Sequence, residues 1–88
     1  MRLLHVHEPI RVSQSPQTLV PKAFTWRARQ HRVRVIESFQ DERIELMHGM
    51  VNRRTYKLRT HTGLRCSISY DERRQLWRME SVHPKGVR

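Results

Sequence analysis

Arginine is the residue type through which this chain could do chemistry. Eighteen lysines and arginines stand against eight carboxylates, a formal net charge of +10 with a sequence pI near 11.4. Most of the cations are arginine, whose planar fork grips phosphate bidentately. Charge on this scale speaks to partners and solubility rather than to fold. The partner class it favours is a polyanion, nucleic acid above all.

Other chemistries find less support. Cys66 lies inside an alternating apolar run, where a cysteine acts as a small hydrophobe rather than a nucleophile. Glu37, Asp41, Glu42 and Glu45, half of all the carboxylates, crowd into one polar stretch. They offer no pair whose pKa values burial would split for acid–base work. Three glycines are scattered singly, so no loop is built to cradle a phosphate. His5 and His7 would leave one face of a strand about 6.6 Å apart, within reach of one ion. No closely spaced cysteines accompany them, and they read as an exposed histidine pair. The expectation is a non-enzymatic protein with no cofactor and no metal.

The elements that must position the arginines centre on residues 56–82. Leu64, Cys66, Ile68 and Tyr70 alternate with Arg65, Ser67 and Ser69, the period of a half-buried strand. Tyr56 and Leu58 precede them in the same rhythm, and Trp77 and Met79 follow. His61-Thr62-Gly63 and Asp71-Glu72-Arg73-Arg74 supply the turns. A three-residue first loop sets Leu58 against Cys66 and Tyr56 against Ile68. A four-residue second loop at 71–74 sets Ile68 against Trp77 and Cys66 against Met79. One face is then core. The other carries Lys57-Ser67-Arg78 and Arg59-Arg65-Glu80, with Glu80 offsetting the Arg59–Arg65 repulsion.

The rest of the chain supplies further strands. Leu3 to Val12 alternates, with Pro9 placing it at an edge or breaking it. Residues 13–21 read as a linker loop and 83–88 as a flexible tail. Lys22 to Phe39 reads as a hairpin turning at Arg27 to Gln30, pairing Phe24 with Val33, with a bulge near Val35-Ile36. Arg32 and Arg34 lie on its exposed side. Residues 41–50 are open between a short helix, capped by Asp41 with Ile44, Met47 and Val51 on one face, and a wide loop. The fold expected is mainly β: one domain over residues 1–88, a small curved antiparallel meander or partly open barrel of five to six strands.

Three pieces resemble a known family: Glu8-Pro9-Ile10-Arg11-Val12, then Phe24-x-Trp26-Arg27-x-Arg29-x-His31-Arg32-Val33, and Tyr70-Asp71 with Leu76-Trp77-Arg78-x-Glu80-Ser81-Val82. Together, over about Glu8 to Val82, they resemble the bacterial domain of unknown function 6504, short standalone proteins. The family's glycine between two arginines is Ala28 here, which strains any turn wanting positive φ at that point. The aromatic-rich middle of the family is missing between Gln40 and Met50. The resemblance implies a small β-rich fold, no established enzymatic role and a setting in DNA repair or maintenance.

The nucleic-acid-binding residues expected are Arg32, Arg34, Lys57, Arg59, Arg65 and Arg78. Tyr56, Trp77, Phe24 and Trp26 fall on the core side, so DNA or RNA would be held by its phosphates with weak sequence preference. The alternative is a protein-interaction module using residues 40–51, which exposed Leu46, Met47 and Met50 would favour. No run approaches a membrane span, the first residues lack a signal-peptide pattern, and one cysteine fits a reducing compartment. The cytoplasm is the expected location.

Overall fold

The computed structural model describes residues 4–47 and 49–83, without the side chains at positions 44, 46 and 51. Six strands fill them: β1 (Leu4–Gln14), β2 (Pro21–Trp26), β3 (Arg29–Leu46), β4 (Gly49–Thr60), β5 (Arg65–Asp71) and β6 (Leu76–His83). All neighbours are antiparallel, and β1 returns to β6 to close a barrel. Two strands turn the corners. β1 pairs with β6 through Ile10 and with β2 from Arg11; β3 pairs with β2 through Arg32 and with β4 from Val33. Pro9 therefore lies where β1 pairs on one side only, so its missing N–H can face away from a ladder.

The first loop of the 56–82 meander has the expected register. Leu58 faces Cys66, Tyr56 faces Ile68, and Arg59 faces Arg65. The Thr60 amide donates to the Leu64 carbonyl at 2.9 Å, closing a three-residue loop with Gly63 at φ 90°. That backbone favours glycine.

The second loop differs by two residues in register. Asp71 is still strand, paired with Leu76; Tyr70 faces Trp77, Ser69 faces Arg78, and Ile68 faces Met79. Asp71 is the cause. Its Oδ1 accepts the amides of Arg73 and Arg74, and its carbonyl accepts the Gln75 amide, so the turn begins after it. A shift between Ser67 and Ile68 then leaves Glu80 as an extra residue, and Cys66 meets Val82. The core rows are Tyr56-Ile68-Met79 and Leu58-Cys66-Val82, not those with Trp77 and Met79. Ile10 and Phe24 complete the buried cluster.

The 22–39 hairpin is also tighter than expected. Trp26 pairs with Arg29 and Phe24 with His31, so Arg27-Ala28 is a two-residue loop. Both residues have positive φ, 51° and 62°, the geometry that matches strand twist in such hairpins. Arg27 is held there: its Nε and Nη2 donate to Glu8 at 3.0 and 2.8 Å, and its guanidinium lies 4.6 Å from the Trp26 ring centre. Trp26 Nε1 donates to the same carboxylate at 2.8 Å. Ala28 makes no such contact to offset its left-handed backbone. Ala28→Gly is expected to raise stability by about 0.5–1 kcal/mol, read as a higher denaturation midpoint with an unchanged slope. A lower midpoint would contradict the turn geometry.

The described residues of 41–50 form neither helix nor wide loop. Asp41 pairs with Arg54, Glu42 with Arg53, Arg43 with Asn52 and Glu45 with Met50, extending β3 and β4 into an arm. Cross-strand acid–arginine pairs favour this ribbon over a helix. The helical stripe expected of Ile44 and Val51 rests on side chains outside the described residues. Two register shifts, at Val33/Val35 and Ile36/Ser38, bracket the expected bulge. The link between β1 and β2 is shorter than residues 13–21: Ser13 and Gln14 finish β1, and buried Pro21 starts β2. His83 closes β6, and the remaining tail lies outside the described residues.

Candidate nucleic-acid interface

The six cations expected to share a face divide into two groups. Arg59 and Arg65 face each other, but Glu37 bridges them: Arg59 Nη2 donates to it at 2.9 Å and Arg65 Nη2 at 3.3 Å. The β3 shift between Ile36 and Ser38 brings Glu37 there. Glu80 does not offset this pair. It accepts from Arg78 Nε at 2.8 Å and from Ser69 Oγ, and His7 Nδ1 lies 3.0 Å away. Burial pushes the Glu80 carboxyl up, but the hydrogen bonds from Ser69 and Arg78 outweigh it and hold the group below its ordinary range. Arg59, Arg65 and Arg78 therefore spend their charge on local carboxylates. The same is true of Arg54 with Asp41 and Arg53 with Glu42.

Arg32, Arg34 and Lys57 are exposed and make no ion pair among the described residues. Arg32 and Arg34 lie where the barrel splits. β2 begins at Pro21 and reaches β3 only through Ala23–Arg32, while β3 runs on against β4 alone. The cleft left between them has a volume of about 540 Å³ and is lined by Lys22, Arg32 and Arg34, with no carboxylate among its lining residues. The His61 amide donates to the Arg32 carbonyl at 3.0 Å, tying this edge to the first turn of the meander. Lys22 was not among the cations expected at the site. It opens β2 beside Pro21, and nothing in alternation alone marks it as lining one cleft with Arg34.

The other chemical candidates resolve simply. Cys66 is buried, and burial pushes its thiol up to about 12, far from a thiolate at neutral pH. His5 and His7 stack with ring centres 6.1 Å apart, and His7 turns toward Glu80. Burial, and then the charge of Arg29, push the His31 imidazole below its ordinary value, where it stacks on Phe24. Among the described residues, no three His, Cys, Asp or Glu side chains gather as a metal site, and no helix is long and apolar enough to cross a membrane.

A closed six-stranded antiparallel barrel, split on one side by a cationic cleft, defines the molecule as a small β-barrel. It belongs to the family described as Domain of unknown function (DUF6504), whose model matches residues 1–87. The match takes in the whole stretch on which the resemblance rested. No curated protein and no solved structure matches the chain.

Proposed function

We propose that this protein is a non-enzymatic nucleic-acid-binding barrel, serving DNA repair or maintenance in the cytoplasm, that holds phosphates in the cleft between β2 and β3. One observation carries the reading: the cleft gathers Lys22, Arg32 and Arg34 and no carboxylate, in a chain of net charge +10. Elsewhere most of the carboxylates are matched to arginines. An anion entering the cleft therefore meets three cations that need not first release a partner. Lys57 adds charge on the neighbouring strand. Phosphate contact through Lys22, Arg32 and Arg34 carries no sequence information, so sequence preference is weak.

Titrating a labelled duplex at several salt concentrations tests this. Three phosphate contacts predict a slope of about −3 for log affinity against log salt. A flat response would overturn the proposal.

A second reading has its own observation. Met47 is 98% exposed and Met50 48% exposed at the end of the arm; Leu46, expected to join them, has its side chain outside the described residues. Among the described residues, 41–46 pair only with β4, leaving an open ribbon edge to which a protein strand could add. Crosslinking from the arm tip in cell extract, with and without nuclease, separates a protein partner from one bridged by nucleic acid.

A further inference from the structure

We infer that the nucleic acid held by this barrel is single-stranded, and that an unpaired base stacks in a second, aromatic groove under the arm. This rests on the phosphate-binding reading and specifies its substrate class. The second groove has a volume of about 540 Å³, with Tyr56, Tyr70 and Trp77 among its lining residues. Their rings form a row across three strands: Tyr70 lies 4.9 Å from Trp77, and Trp77 lies 5.8 Å from Tyr56. Phe39, 60% exposed, continues the row 6.0 Å from Tyr56, with the Arg54 guanidinium over its face. Tyr70 and Trp77 are only half-buried, so each retains ring surface for a ligand.

The register of the second hairpin creates this row. With Trp77 opposite Ile68 the indole would be interior; opposite Tyr70 it sits where the barrel opens toward the arm. Gln14 lines both this groove and the cationic cleft. One bound strand can therefore leave phosphates on Lys22, Arg32 and Arg34 and turn a base past Gln14 onto the rings. The groove wall carries Asn52, whose amide suits a base edge, and Asp41, Glu42 and Glu72, which keep the phosphates out of the groove and in the cationic cleft. A duplex keeps its bases stacked on each other and offers none to such a row. Only an unpaired base can use it.

The test uses the full chain carrying Trp26→Phe, so that Trp77 is the sole indole. Oligothymidylate is expected to quench Trp77 emission and to bind about tenfold more tightly than a duplex of equal length. Tyr70→Ala should remove that preference while leaving duplex affinity and its salt slope unchanged. Trp77→Phe keeps an aromatic face and should retain most of the preference, which guards against a loss caused by unfolding. Equal affinity for both forms, or binding without quenching, overturns this inference and leaves the phosphate reading standing. Failure to bind either form overturns both.

Discussion

Changing Lys22, Arg32 and Arg34 together to glutamate is expected to lower nucleic-acid affinity by about 1000-fold or more and to flatten its salt dependence. A hydrogen bond to a charged group contributes roughly 1.5–3 kcal/mol, and each lost phosphate contact takes about one unit from the salt slope. The three side chains are exposed and have no carboxylate partner among the described residues, so the fold should survive their reversal. The matching change at Arg59, Arg65 and Arg78 should behave differently. It would set new carboxylates against Glu37 and Glu80, which now bind those arginines. Lower thermal stability is expected there, with a smaller specific effect on binding. If the Arg59, Arg65 and Arg78 variant alone lost binding while melting normally, the site would lie on the outer face of the meander instead of in the cleft.

Ile68→Ala should come close to unfolding the protein. Ile68 has no exposed surface and lies in the core row between Tyr56 and Met79. Truncation of such a residue costs roughly 2–5 kcal/mol, through lost transfer energy and the cavity left behind. An 88-residue chain has a small core, and native stability is only about 5–15 kcal/mol in general. A fall in melting temperature of roughly 10–30 °C follows from the usual scaling for this size. Cys66 gives a second readout. It is 3% exposed, and burial holds its thiol near 12, so native protein should label slowly. Labelling should accelerate at least tenfold in the variant as the open population grows. A melting point within a few degrees of the parent would mean that Ile68 is not at the centre of the core.

Much of this architecture was open to reading from the chain alone. Alternation at Tyr56, Leu58, Cys66 and Ile68 marks the core face, and a three-residue turn ending in Gly63 sets the first register. Those signals are local. The register of the other two hairpins was less legible, for a specific reason. Side chains alternate with period two, so moving Trp77 from Ile68 to Tyr70, or Phe24 from Val33 to His31, leaves every residue on its expected face. Alternation cannot detect that move. It took the Asp71 side chain capping its turn, and Glu8 holding Arg27 in a left-handed backbone, to choose between the alternatives. Residues 41–50 misled in another way. Apolar residues spaced three and four apart suit a helix, but pairing acids with arginines across β3 and β4 suits a ribbon, and that pairing needs the partner strand in view.

The arginines follow the same division. Their number, their excess over carboxylates and the polyanion they suit are properties of composition, and the sequence alone determines them. Which of them remain available is a matter of tertiary structure. Glu37 reaches Arg59 and Arg65 across 22 and 28 residues of chain, because a shift in β3 aims it between two neighbouring strands. Lys22, Arg32 and Arg34 converge because β2 is short and β3 is long, so the sheet parts beside them. Coulomb energy depends on distance in space, and the order of residues along the chain does not specify that distance until the barrel closes.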